Sequence, residues 1–229
     1  MPPFLNAQLQ GQSSSMEVQI LERGENSLKF ILTDSYPAFA NALRRIMIAE
    51  VPCMTIEDVF FYENLSPLND EMIAHRLGLI PLKTDLDTYA LPEKCVCKSE
   101  MGCNKCRVIA TLEAEAVDSP LTVYSGDIKF ENPDIQAVSD KIPIIKLALG
   151  QKIKFEAHAK LGIGKQNAKW QPVSAGAYKY HDKHEGSFVF YIESTGCLPP
   201  ERILQEATRI LAAKAEELSA EVKSAVGKR

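Results

Sequence analysis

The sequence lacks long hydrophobic runs, a surplus of basic residues and a recognisable export signal. No stretch of about eighteen consecutive apolar residues occurs, so we predict no membrane-spanning helix. The first residues, Met-Pro-Pro-Phe, have neither the basic flank nor the apolar run of a signal peptide, and we therefore expect a cytoplasmic protein. Acidic residues outnumber basic ones, and the net charge of -4 provides no overall positive field for nucleic acid. We therefore predict no direct sequence-specific contact with nucleic acid.

Catalytic motifs are also missing. The serines at 13–15 are not part of a G-x-S-x-G turn, and none of the four histidines pairs with a recognisable nucleophile. Gly162 and Gly164 precede Lys165, but a phosphate-binding loop needs four residues between its glycines and a Ser or Thr after the lysine, where Gln166 stands. The sequence therefore predicts a protein with no catalytic site of its own.

The chain has six cysteines, too few for a disulfide-dense secreted scaffold, and four of them fall within twelve residues. These four, the candidate metal ligands, are Cys95, Cys97, Cys103 and Cys106. Two close pairs joined by a short loop can supply the four soft ligands that a tetrahedral zinc ion prefers. We predict structural zinc, with an iron–sulfur cluster and unmetallated thiols as the alternatives. Four protein ligands leave no open position for a catalytic water.

Two helices with apolar stripes stand near the two ends of the chain. Residues 1–15 are polar and without periodicity, which predicts a disordered tail. Alternating apolar residues on both sides of Gly24 then indicate a hairpin. The first helix begins near Pro37 and the last follows Pro200, while the centre contains β-type apolar runs separated by turns. The stripes, at helical spacing, consist of Phe39, Leu43, Ile46 and Met47, and of Ile203, Ala207, Ile210, Leu211, Leu218 and Val222.

Three segments have a residue order too particular for a generic surface or core: 39–47 (FANALRRIM), 70–81 (DEMIAHRLGLIP) and 161–170 (LGIGKQNAKW). In this order they resemble the alpha-like subunits of multisubunit DNA-directed RNA polymerases. That family includes the archaeal member called D, the third-largest subunit of eukaryotic polymerase II and the bacterial alpha subunit. The resemblance extends from Met16 to about Val226.

The resemblance implies an α+β fold of two domains. A discontinuous dimerisation domain would comprise 16–51 and 187–229, and a mostly-β insertion domain would span 52–186 and carry the cysteine loop, residues 95–106. The family's dimerisation domain pairs with a smaller alpha-like subunit, called L in archaea. That pair is the platform for the second-largest polymerase subunit and the small subunits N and P.

The resemblance also assigns roles to individual positions. The dimer interface would be formed by Phe39, Leu43, Ile46, Met47, Ile203, Ile210, Leu211 and Leu218. The large subunits would be contacted by Arg44, Arg45, Gly162, Gly164, Lys165 and Trp170. By its chemistry the glycine segment is also a plausible contact surface, with a flexible backbone, lysine donors and Trp170 as one large aromatic anchor.

Two other classes of function remain open at this stage. A zinc-dependent enzyme would need an open coordination position on the metal. A zinc-containing DNA-binding regulator would need a basic surface and an affinity for DNA that falls as salt rises.

Overall fold

The computed structural model describes residues 16–99, 102–182 and 184–227; the predicted disordered tail, 1–15, lies outside the described residues. Ten strands and three α-helices are present in this part of the chain. The helices are α1 (Pro37–Ala49), α2 (Asp70–Gly78) and α3 (Pro200–Val226). The strands are β1 (Glu17–Arg23), β2 (Ser27–Thr33), β3 (Cys53–Asn64), β4 (Arg107–Glu115), β5 (Leu121–Tyr124), β6 (Lys129–Phe130), β7 (Pro143–Leu147), β8 (Lys152–Gly162), β9 (Val173–Tyr180) and β10 (Phe188–Ser194).

The two ends of the chain build one antiparallel sheet, the terminal sheet, in the order β1-β2-β10-β9. The predicted hairpin is formed by β1 and β2 around Gly24. Alternate β2 residues, among them Leu28 and Phe30, are buried, as expected of a strand with one covered face. The rings of Phe30 and Phe190, on paired strands, stack with centroids 4.9 Å apart. These residues belong to the first of two hydrophobic cores, which packs against the terminal sheet.

Helices α1 and α3 cover this sheet. Proline at the first turn of each helix removes an amide hydrogen that would have no partner there. The buried face of α1 includes Leu43 and Met47, and α3 contributes Ile203 and Ala207 to the same core. An ion pair between Lys214 Nζ and Glu50 Oε2, 2.5 Å apart, joins α3 to the end of α1.

The middle of the chain forms a second antiparallel sheet, the insertion sheet, in the order β3-β8-β4-β6, with its own core. Helix α2 packs on this sheet through Ile73 and Leu77. A two-stranded ribbon of β5 and β7 completes the unit. The predicted α+β class is confirmed by this arrangement of three helices with antiparallel sheets.

The two cores meet at the first residues of β3, because Cys53 packs in the core of the terminal sheet and Met54 packs in that of the insertion sheet. On the returning side, β9 pairs with β10 in the terminal sheet, although its residues were predicted to lie in the insertion domain, 52–186. We therefore propose that the insertion ends near residue 172, because among the described strands β9 pairs with β10 alone.

Within the described ranges, no helix is both long and apolar enough to span a membrane.

Candidate functional site

The cysteine loop runs from the end of a short 3-10 turn, Pro92–Lys94, to the start of β4. Tight backbone hydrogen bonds shape it: the amide of Cys95 donates to the carbonyl of Pro92 at 3.2 Å, and that of Cys106 donates to the carbonyl of Cys103 at 2.9 Å. Gly102 has a φ of +77°, and a Cβ there would lie 3.2 Å from the Cys106 sulfur. Glycine therefore supplies both the backbone conformation and the space that the loop needs.

This loop brings the four predicted ligands together. The Sγ atoms of Cys95 and Cys103 are 3.7 Å apart, as are those of Cys97 and Cys106. The Cys103 and Cys106 sulfurs are 3.9 Å apart, and all four lie within 4.8 Å of one another. A tetrahedron with metal–sulfur bonds of about 2.3 Å has edges of about 3.8 Å. The cluster therefore has the size to hold one metal ion.

The electrostatics of the cluster also suit a cation. Burial, together with the neighbouring cysteine sulfurs, raises the pKa of the Cys106 thiol to about 12, so a thiolate here needs a compensating charge. A bound metal ion supplies that charge and deprotonates its thiol ligands. Lys94, Lys98 and Lys105 are exposed around the loop. They can offset the net negative charge that a divalent ion with four thiolates would carry.

The glycine segment, 161–170, packs against the chain's own core through its tryptophan. Trp170, predicted as an aromatic anchor for a partner, is only 8% exposed and belongs to the core of the terminal sheet. Its ring lies flat against Gly162, where a Cβ would be 2.3 Å from two ring carbons. The indole N–H donates to the carbonyl of Lys160 at 3.4 Å, and the Lys169 ammonium lies 4.7 Å from the ring centroid. Gly162 and Trp170 therefore form an internal joint, and neither presents a surface for a partner.

Lys169 ties this joint to the insertion sheet, a role that the sequence alone did not indicate. Its ammonium donates to the carbonyl of Ile56 at 3.2 Å and pairs with the Glu57 carboxylate. Gly78, at the end of α2, packs against the same carbonyl and the same lysine side chain. Two of the three segments that carry the family resemblance, 70–81 and 161–170, thus meet where the two cores join.

The remaining candidates for large-subunit contact lie at the surface or close to it. Arg45 and Lys165 are exposed, and Arg44 is half-buried, with its guanidinium donating to Asn41 Oδ1 at 3.0 Å. Gly164 lies under α1, where a Cβ would be 2.6 Å from the Ile48 carbonyl oxygen. A backbone hydrogen bond of 2.8 Å from Lys165 N to Ala49 O holds Lys165 at the end of α1.

The eight positions predicted for the dimer interface fall into three groups. Leu43, Ile46, Met47 and Ile203 are buried in the chain's own core, where they cover the terminal sheet. Phe39, Ile210 and Leu211 are half-buried at the edge of that core. Leu218 is 62% exposed, as part of a helix end that projects beyond the core.

An exposed apolar face that sequence reasoning missed lies on the edge strand β1. Val18 and Ile20 are each about half exposed, and no residue of β1 is buried. One side of β1 pairs with β2, and among the described strands none pairs with its other side. Alternation alone predicted the strand correctly but could not reveal that both of its faces are open.

Comparison with known proteins places these features in a family. Residues 56–176, just over half of the chain, match the family model described as the RNA polymerase Rpb3/RpoA insert domain. A protein of Pyrococcus horikoshii named DNA-directed RNA polymerase subunit Rpo3 is 36% identical over 93% of this chain and all of its own length. The subunit of the same name from Methanocaldococcus jannaschii is 43% identical over 82% of this chain and 87% of its own.

Other relatives match over a smaller part of their length. The Rpo3 subunit of Pyrococcus furiosus is 48% identical over 73% of this chain, and the match spans 60% of that relative. The Rpo3 subunit of Methanosphaera stadtmanae matches over 63% of its length. The match to the insert-domain model and the near full-length similarity to the Pyrococcus horikoshii subunit lead to one assignment: the chain belongs to the family of alpha-like, Rpb3/RpoA-type subunits of DNA-directed RNA polymerase.

Proposed function

We propose that this chain is a non-catalytic platform subunit of a cytoplasmic DNA-directed RNA polymerase. It pairs with a smaller alpha-like subunit, the counterpart of L, and the pair then recruits the second-largest subunit and the small subunits N and P. Family membership supports the polymerase assignment. One structural feature, the projecting end of α3, supports the pairing.

The last buried residue of α3 is Ala207, and the remaining 19 residues of the helix, about 28 Å long, have no buried position. Leu218, Val222 and Val226 nonetheless continue the apolar stripe of Leu211, and all three are more than half exposed. Covering the exposed part of each would stabilise a complex by about 1–2 kcal/mol, or about 3–6 kcal/mol together. A helix of this kind is stabilised chiefly by packing of its apolar face, which indicates a partner subunit.

The proposed dimer interface therefore shifts along the helix from the positions inferred from the sequence. Leu211, Leu218, Val222 and Val226 would touch the partner, with Phe39 and Ile210 at the margin. The buried stripe of α1 instead packs α1, and with it α3, on the terminal sheet. Arg45 and Lys165, exposed at one end of α1, remain the proposed contacts of a large subunit.

Co-expression with the smaller alpha-like subunit of the same organism tests the pairing. The wild-type chain should give a one-to-one complex by size-exclusion chromatography with light scattering. The double variant L218D/V222D should pair at least about 100-fold more weakly, because it removes two apolar contacts and places two carboxylates where water is excluded. A220D, on the opposite and exposed face of the same helix, is the matched control and should pair normally. Normal pairing of the double variant would refute this interface.

We further propose that the cysteine loop holds one structural zinc ion. Three sulfur separations of 3.7 to 3.9 Å, and none above 4.8 Å, support a single ion over a multi-iron cluster, which binds its thiolates through separate irons and spreads the sulfurs. With four thiolates as ligands, such an ion has no position for a reacting water. It would stabilise the loop that precedes β4.

A further inference from the structure

A cleft of ≈ 280 Å³ lies where the two cores join. Thr55, on β3, and Leu79, just after α2, line it from the insertion unit, and Val173 and Ser174, at the start of β9, line it from the terminal sheet. The glycine segment contributes Ala168. Of the described residues that line the cleft, none belongs to α3 or to the cysteine loop. The cleft is therefore separate from both the proposed dimer interface and the proposed metal centre.

The hydroxyl of Thr55 is the one buried polar group of this cleft that lacks a partner. Thr55 is 2% exposed, and its Oγ1 atom has no hydrogen bond to any residue that the structure describes. Alternation along β3 turns its side chain away from Met54 and Ile56, which pack in the core of the insertion sheet, and onto the face where Trp170 covers Gly162. A hydroxyl buried in this way costs free energy until a partner reaches it, so Thr55 marks the cleft as a binding site.

The remaining polar groups of the cleft show which chemistry an occupant needs. The hydroxyls of Ser174 and Thr195 each donate to a backbone carbonyl, at 3.2 and 3.3 Å. The Lys169 ammonium is paired with the Glu57 carboxylate, and the side chain of Gln171 is only half-buried. Within the described part of the chain, the cleft thus offers a free buried hydroxyl and no unpaired charge. It suits a neutral group with an apolar body and a hydrogen-bonding tip.

The size of the cleft favours a side chain of a partner protein over a free ligand. Sites for small molecules usually enclose about 300–1,000 Å³, and this cleft is smaller. Tyrosine and tryptophan combine a large apolar ring with an O–H or N–H that needs a partner when it is buried, and both are frequent anchors of protein interfaces. Leu79, 58% exposed, offers such a ring an apolar contact.

We propose that this cleft receives one tyrosine or tryptophan side chain of the second-largest polymerase subunit, and that the polar tip of this side chain bonds to the Thr55 hydroxyl. The inference rests on the platform role proposed above. The position of the cleft selects this subunit: Ala168 and Lys169 belong to the same segment as Lys165, the proposed contact of a large subunit. The interface proposed for the smaller alpha-like subunit lies on α3, which does not line the cleft.

The first test measures binding of the purified second-largest subunit to the full chain in complex with its smaller alpha-like partner. T55V keeps the shape of the side chain and removes the hydroxyl, so it should weaken this binding by about 5- to 30-fold. The variant chain should unfold at no lower a urea concentration than the wild type, because the lost hydroxyl has no partner within the chain. T111V, at an exposed threonine of β4, is the matched control and should behave as wild type in both assays.

The other outcomes separate this inference from the platform role. Wild-type affinity of T55V would mean that water alone meets the hydroxyl, which overturns the inference and leaves the platform role intact. Unfolding of T55V at lower urea, or its failure to fold, would show that the hydroxyl serves the chain's own structure, which also overturns the inference. Absence of binding between the wild-type pair and the second-largest subunit would contradict the platform role itself.

A photocrosslinker beside the cleft identifies the occupant independently. Leu79→p-benzoylphenylalanine, at an exposed position, should crosslink to the second-largest subunit within the assembled polymerase. Mass spectrometry of the crosslinked peptide should find a tyrosine or tryptophan in it. Crosslinks to other subunits alone, or to a peptide without either aromatic residue, would overturn the proposed occupant.

Discussion

Replacing Gly162 with alanine should strongly destabilise the chain, although the change adds a single methyl group. The new Cβ would lie 2.3 Å from two carbons of the Trp170 ring, so the indole must move. Overpacking of this kind costs about 1–3 kcal/mol. Displacing the ring also disrupts its contact with the Lys169 ammonium, worth about 0.5–1 kcal/mol. We expect a total loss of about 1.5–4 kcal/mol, which lowers the melting temperature of a chain of this size by roughly 3 to 16 °C.

The assay is urea unfolding followed by tryptophan emission, because Trp170 is the only tryptophan in the sequence and is buried. G162A should unfold at lower urea, and its folded state should emit at longer wavelength than the wild type. Gly176 is a matched control in the neighbouring strand β9, since a Cβ there would be at an ordinary 3.4 Å from Ile48. In a W170L background, followed by circular dichroism, G162A should cost far less. Wild-type stability and emission in G162A would refute the proposed joint.

Three further predictions concern the cysteine loop, the core of the terminal sheet and a surface carboxylate. C103S should contain about one zinc ion per chain less than the wild type by metal analysis, and it should still pair with the alpha-like partner. A wild-type chain free of zinc after purification under reducing conditions would contradict the metal assignment. L43D should lower the free energy of unfolding, measured by chemical denaturation, by at least about 3 kcal/mol, because Leu43 lies in the chain's own core. A stably folded L43D variant that merely fails to pair would contradict this. The Thr88 hydroxyl and the amides of Asp87 and Thr88 lower the pKa of Asp85, so its stabilisation is present above about pH 4 and is lost as pH falls through the folded-state pKa. Denaturant titrations should show a smaller stability deficit of D85N relative to wild type at pH 3 than at pH 7, and an equal deficit at both would contradict the linkage.

Much of the secondary structure could be predicted because its signals are local. Prolines mark the first turns of α1 and α3, and alternation of apolar residues marks β2 and β10. Strand β9 was missed because Ala175, Gly176 and Ala177 give no alternation of large apolar residues. Its place in the terminal sheet depends on pairing with β10, which is a tertiary property.

The site illustrates a second limit of sequence reasoning. Helical periodicity identified the apolar stripes of α1 and α3 but could not distinguish cover by the chain's own sheet from cover by another subunit. Leu43 and Leu218 occupy equivalent stripe positions, yet the first is 2% exposed and the second 62%. Likewise, the close contact of Gly162 with Trp170 depends on how the two cores join, and no local spacing encodes it.

The platform role is tested most directly by isolating the chain with its native partners. An N-terminally tagged copy, which leaves the end of α3 free, should be expressed in the source organism and purified at moderate salt. Its partners should be identified and counted by mass spectrometry, and the eluate assayed for DNA-templated nucleotide incorporation. We expect an active complex with one copy of this chain for each largest polymerase subunit and each smaller alpha-like subunit. Recovery of the folded chain without those subunits, while an endogenous polymerase assembles and transcribes without it, would contradict the account.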